Sequence, residues 1–146
     1  MKVSGLWRYV YRSVDEHGQV LDGFVSKRRD KAAGEWFFAK AVRDHGEPLD
    51  IVTDKSPALA SMIADLVPDA EHCPDRYANN RVECDHGRLK ARLRPMRGLK
   101  TDRTAGVVIR GHAFVHNIRR GHYHFDHDTD PTDRLEAAFA ELLATI

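Results

Sequence analysis

Two carboxylates stand where a hard divalent cation could be shared. Asp54 closes the short apolar run Leu49–Thr53. Glu83 falls in Asn79-Asn80-Arg81-Val82-Glu83-Cys84-Asp85-His86-Gly87-Arg88-Leu89-Lys90, a stretch that reads as a basic helix. Carboxylates delivered from separate elements suit Mg²⁺, which takes oxygen ligands. The surrounding lysines and arginines suit a phosphodiester substrate. Together they point to phosphoryl transfer on DNA. Each residue also has a plainer reading. Asp54 can cap the helix that begins near Pro57, and Glu83 can belong to a solvated face with local ion pairs.

These residues need elements to hold them. Leu6 to Val14 alternates apolar or aromatic residues with polar ones, which predicts a strand. Trp7, Tyr9 and Tyr11 share one face of it and are expected in the core. Glu16-His17-Gly18-Gln19 is a turn, and Val20 to Ser26 is the returning strand of a hairpin. Asp30 predicts an N-cap for a helix from Lys31 to about Asp44, closed by Gly46 and Pro48. Leu49 to Thr53 suits a buried strand, and Ser56-Pro57 starts a second helix. A short strand is expected over Ala70 to Cys73. A helix capped by Asn79 or Asn80 then runs to about Leu93, where Pro95 stops it. Arg103 to Arg120 is expected to be helical, with Val107, Val108, Phe114 and Ile118 facing a core. Leu135 to Leu143 makes a last short helix after the Asp-rich stretch Asp126 to Asp133. This order predicts an α/β domain with a mixed sheet.

Composition narrows the classes. The 146 residues make one ordinary domain, and 42% apolar residues suffice for a core. No run of about 18 apolar residues predicts a membrane span. The opening Met1-Lys2-Val3-Ser4-Gly5-Leu6-Trp7 has no apolar signal-peptide segment. Cys73 and Cys84 stand apart, without a zinc-binding spacing, and a reduced cytoplasm is the expected setting. The net charge is +1, yet basic residues far outnumber acidic ones from Arg76 to Arg120. A basic stripe in a near-neutral chain predicts a local polyanion site.

Four segments recur in this order in one family. They are Trp7-Arg8-Tyr9-Val10-Tyr11-Arg12-Ser13-Val14-Asp15, Val52-Thr53-Asp54-Lys55-Ser56-Pro57-Ala58, Asn79-Asn80-Arg81-Val82-Glu83-Cys84-Asp85-His86 and Arg94-Pro95-Met96-Arg97-Gly98-Leu99-Lys100. From about Lys2 to His122 the chain resembles the DDE transposases of bacterial insertion sequences, in the branch called insertion sequence family six. That resemblance implies a ribonuclease-H-like, integrase-type fold with a mixed sheet flanked by helices. It implies a catalytic domain over residues 1–121 and a polar tail over 122–146. It also implies an Asp-Asp-Glu triad holding two Mg²⁺ ions, DNA cleavage and strand transfer at insertion-sequence ends, double-stranded DNA as partner, and a homodimer in the full-length protein. Asp54 matches the second Asp and Glu83 the Glu.

Two departures from the family pattern stand out. The first Asp would fall about four positions before Met1, on a first strand of which Met1 to Ser4 is the end. Met1 is therefore expected not to be a natural beginning. Shortening of that strand predicts marginal stability and a tendency to associate. Glu83 also lies only 29 positions after Asp54, some six fewer than usual in the family, and the missing residues fall at Val67-Pro68-Asp69. Shortening a surface loop is cheap and leaves function possible.

Other residues carry secondary expectations. Lys55 is a candidate phosphate contact or a solvated lysine. Asn79, Asn80 and Arg81 can touch DNA or order the helix start. His86, one turn from Glu83, can assist near a cation or pack. Lys90 and Arg94 follow Glu83 at helical spacing and would grip the DNA backbone. His122, His124 and His127, with Asp126 and Asp128, resemble a loose metal site but read better as a polar tail. The alternative to an active transposase domain is a catalytically dead remnant that only binds DNA or dimerises. A third reading, a metal-binding domain unrelated to DNA, rests on the histidine tail alone.

Overall fold

A computed structural model describes residues 1–53, 57–73, 80–96, 98–123 and 129–146, without the side chains of residues 58 and 81. Its centre is a hairpin of β3 (Tyr9–Val14) and β4 (Val20–Ser26), paired antiparallel from Tyr9↔Ser26 to Val14↔Val20 with an irregularity at Ser13/Val14. Alternation sends Tyr11 and Phe24 to one face and Arg12 and Gly23 to the other.

Helix α1 (Lys31–His45) covers the first face, with the Phe37 ring 5.8 Å from Tyr11 and Trp36 4.5 Å from Phe24. As expected, Asp30 caps α1, accepting the amide of Ala33. Helix α4 (Asp102–Arg119) covers the second face and begins at a Thr101–Thr104 capping box. It approaches so closely at Gly23 that a Cβ there would lie 2.8 Å from the Ile109 side chain. Further along, buried Asn117 accepts the Val20 amide and donates to the Val20 carbonyl, both at 2.9 Å. That side chain satisfies a strand edge as a neighbouring strand would.

A second unit holds β5 (Asp50–Val52) parallel to β6 (Glu71–Cys73), with α2 (Pro57–Leu66) between them in sequence. Ile51, Met62, Ile63 and Val67 form its core, joined by Phe38 and Val42 of α1. Gly34 lets α1 and α2 approach, since a Cβ would meet Met62 Sδ at 3.1 Å. A small hairpin of β1 (Lys2–Val3) and β2 (Leu6–Trp7) turns at Ser4-Gly5, and buried Val3 packs with Leu99 and Ala105. Helix α3 (Asn80–Leu93) leans on β3, and α5 (Arg134–Ala144) docks on α4 with Ala138 buried.

The elements follow the expected order, and three findings correct finer expectations. The strands form three two-stranded sheets among the described residues rather than one mixed sheet. Strands β3 and β5 face each other across a cavity of about 730 Å³ and are not paired. Trp7 is 65% exposed and Tyr9 is exposed too, because the aromatic cover from α1 reaches only to Tyr11. Trp7 instead lies beneath Lys2, whose ammonium is 5.5 Å from the ring. Val107 is exposed as well; α4 turns Ala105, Ile109, Ala113 and Ile118 inward.

The tight hairpin–α4 contact gives a direct test. Gly23→Ala should lower the unfolding free energy by about 1–3 kcal/mol, because Ile109 must move. Urea denaturation of the variant measures it, and an unchanged midpoint would refute the close packing.

Candidate functional site

The cavity between the two units gathers the residues that carry chemistry. Val52 and Thr53 of the β5 end, Arg12 of β3, and Val82, Glu83 and His86 of α3 all line it. Thr53 Oγ1 is 2.8 Å from His72 Nε2, which ties the end of β5 to β6. Asp54, Lys55 and Asn79 lie outside the described residues, as does the Arg81 side chain. So do His124, Asp126, His127 and Asp128 of the tail.

Helix α3 presents two sides. Glu83, Gly87 and Lys90 are exposed, as is Arg94 in the turn that follows, and so is Asn80 at the helix start. The opposite side is inward, through Asp85 and Leu89, with half-buried Leu93 beyond. That division follows the 3.6-residue period.

Beneath the exposed side lies a charge pair that the sequence reading did not single out. Arg12 Nη2 is 2.6 Å from Asp85 Oδ2, and their side chains are 0% and 1% exposed. The three guanidinium nitrogens and both carboxylate oxygens have no well-formed partner among the described residues. Burial lowers the Arg12 pKa, and the Asp85 charge partly offsets this. The signal for Arg12 was present in its parity: it alternates with Val10 and Val14 on the face opposite the tyrosines. Nothing local in the sequence paired it with Asp85.

Three histidines surround the pair. His86 is half-buried, and burial followed by the Arg12 charge lowers its pKa. His112 is buried on α4, its ring centroid 4.5 Å from that of His116. Desolvation and then His116 push its pKa down to about 4. His116 is lowered too, first by burial. At neutral pH these imidazoles are uncharged, so Asp85 remains the counter-charge of Arg12.

Glu83 offers an exposed carboxylate at the cavity, the right kind of ligand for a hard ion. Asp85 is taken up by Arg12. Among the described residues no three His, Cys, Asp or Glu side chains are grouped to hold a metal. The set therefore fits in kind, and a cation would need Asp54 or further oxygens beside Glu83. No helix among the described residues is long and apolar enough to cross a membrane.

Comparison with known proteins adds independent findings. Residues 1–122 match the family described as DDE domain, of the IS240 transposase type. The chain is 31% identical over 107 residues to the transposase for insertion sequence-like element IS431mec of Staphylococcus aureus strain Mu50, covering 69% of this chain and 47% of that protein. The same figures hold for the transposase for insertion sequence element IS257 in transposon Tn4003 of Staphylococcus aureus. An uncharacterized protein, pYV0051, of Yersinia pseudotuberculosis is 29% identical over 70 residues, covering 46% of this chain and 65% of that protein. The chain thus spans about half the length of the Staphylococcus transposases it matches, 47%.

The histidines make stability depend on pH. A histidine whose folded pKa is depressed stabilises the fold above its unfolded value of 6.5. That stability is lost as pH falls toward the folded value, about 4 for His112. The denaturation midpoint should drop between these values, and His112→Gln should flatten the drop. A midpoint constant from pH 7 to pH 4.5 would contradict the buried, neutral assignment.

Proposed function

Because the chain belongs to the DDE transposases of bacterial insertion sequences, in the branch called insertion sequence family six, we propose that it serves DNA transposition as a Mg²⁺-dependent phosphoryl-transfer domain. It would cleave DNA and transfer strands at insertion-sequence ends. One observation carries this reading: Glu83 and His86 of α3 line the same cavity as Thr53, the residue before Asp54. Asp54 and Glu83 would hold the cation between them. When bound, divalent cations supply activation of an attacking hydroxyl and stabilisation of the leaving oxygen.

The chain's own residues have separate tasks. Glu83 supplies an anionic oxygen at the mouth of the cavity. Lys90 and Arg94, exposed along the same side of α3, would hold the DNA backbone beyond it. Asn79, Asn80 and Arg81 would order the start of α3 or touch DNA, and Lys55 would meet a phosphate beside Asp54. Half-buried and uncharged at neutral pH, His86 would shape the cavity wall near Glu83 rather than add positive charge.

The proposed architecture is ribonuclease-H-like, with residues 1–121 as the catalytic domain. Support comes from the gap between β3 and β5. Met1 and Arg8 exchange both backbone hydrogen bonds, at 2.8 and 2.7 Å, in the register Lys2↔Trp7. Strand β1 thereby lies antiparallel to the β2 segment that leads into β3. In this architecture the strands would belong to one sheet, and the cation would sit in the gap beside Glu83. Double-stranded DNA is the proposed partner, and a homodimer the proposed state of a full-length protein.

DNA binding is the direct test. The chain should bind duplex DNA of any sequence, more weakly as salt rises. Lys90→Glu with Arg94→Glu should weaken binding uniformly across sequences and reduce the salt slope by roughly one per lost phosphate contact. A fluorescence-anisotropy titration over a salt series reads both, and unchanged binding would remove this face from the interface.

A further inference from the structure

We infer that Arg12 and Asp85 are positioning residues. Their buried pair fixes the amino-terminal half of α3, and through it Glu83, against the cavity. The consequence for metal rests on the reading of Glu83 given above; the anchoring itself does not.

The two halves of α3 are held by different physics. In the carboxy-terminal half, Leu89 is buried and Leu93 packs beside the cluster of Val3, Leu99 and Ala105. Apolar contacts of this kind are non-directional and tolerate sliding. In the amino-terminal half, Val82 and His86 are half-buried, and Asp85 is the side chain fully withdrawn from solvent. Asp85 meets a group that cannot follow it. Arg12 sits in mid-strand opposite Gly23, the residue against which Ile109 of α4 is tightly packed.

Sliding α3 by one residue would move it about 1.5 Å along its axis and turn it by about 100°. That motion would separate two buried charges and cost several kcal/mol. Glu83 is two positions before Asp85, so it projects to the other side of the helix, where it is exposed at the cavity. A cation ligand needs its oxygen placed within about 0.2 Å. An anchor two residues away, held by the attraction between two buried charges, supplies that constraint. Added stability is not required of it, because a buried pair is often no more stabilising than apolar residues of similar volume.

This separates positioning from mere stability. The experiment compares the full chain with the double variant Arg12→Met/Asp85→Leu, which removes both charges. Three measurements are made: the thermal midpoint, amide hydrogen exchange along α3, and Mn²⁺ affinity by electron paramagnetic resonance. The amides of Cys84, Asp85 and His86 are the first in α3 with a helical carbonyl partner.

The midpoint is expected to stay within a few degrees. Exchange at Cys84 to His86 should quicken at least ~10-fold while Lys90 to Leu93 keep their protection. Mn²⁺ affinity should fall as far as it does in Glu83→Gln. Unchanged exchange at Cys84 to His86, or an equal rise along the whole helix, would overturn the inference. If Glu83→Gln leaves Mn²⁺ affinity untouched, the reading of Glu83 as a ligand fails, while exchange still decides the anchoring. Should the double variant not fold, Arg12→Lys keeps the charge and loses the planar fork. Faster exchange confined to Cys84–His86 then supports positioning, and a uniform change or none overturns it.

Discussion

A guanidinium and a carboxylate meet inside this chain almost without access to water, and the surrounding elements are arranged around that contact. Burying two charges costs several kcal/mol per ion unless they face each other closely. Here one comes from the middle of β3 and the other from the buried side of α3. The strand is held by its hairpin partner β4, and the hairpin has α1 on one face and α4 on the other, against β4. The uncharged histidines beside the pair leave Arg12 to Asp85. A rigid hairpin thus dictates where α3 lies, and α3 carries an exposed carboxylate and a line of cations outward.

The second constraint is a missing pairing. Strands β3 and β5 look across a shared cavity and neither extends the other's sheet. Unpaired strand edges expose backbone donors and acceptors that favour further strand pairing. The end of β5 lies on one side of this gap and α3 on another. In the proposed reading, the gap that weakens the sheet is also the place where oxygen ligands would converge.

Much of the fold was legible because local chemistry marks it. Asp30 signals the start of α1 and Pro57 the start of α2; alternation marks the β3/β4 hairpin, whose return strand lies at Val20–Ser26 as expected. The helical period put Glu83, Gly87, Lys90 and Arg94 on one side, and all four are exposed. What local pattern could not tell is which faces find a cover. Trp7 and Tyr9 have the alternation of a buried face, yet α1 stops short of them. Val107 has the composition of a core residue and points outward. The Arg12–Asp85 contact joins positions far apart in sequence, so parity could turn Arg12 inward but could not name its partner. The family was legible in four ordered motifs, and the match over residues 1–122 establishes it.

The central claim is that α3 and the end of β5 form one cation site. Paramagnetic relaxation by Mn²⁺ tests it most directly, since its line broadening in NMR spectra falls steeply with distance from the ion. Substoichiometric Mn²⁺ should broaden the amides of Thr53 and Glu83 together, and Glu83→Gln should abolish both effects. Broadening centred on His122 and Tyr123, with Thr53 and Glu83 left sharp, would contradict the account.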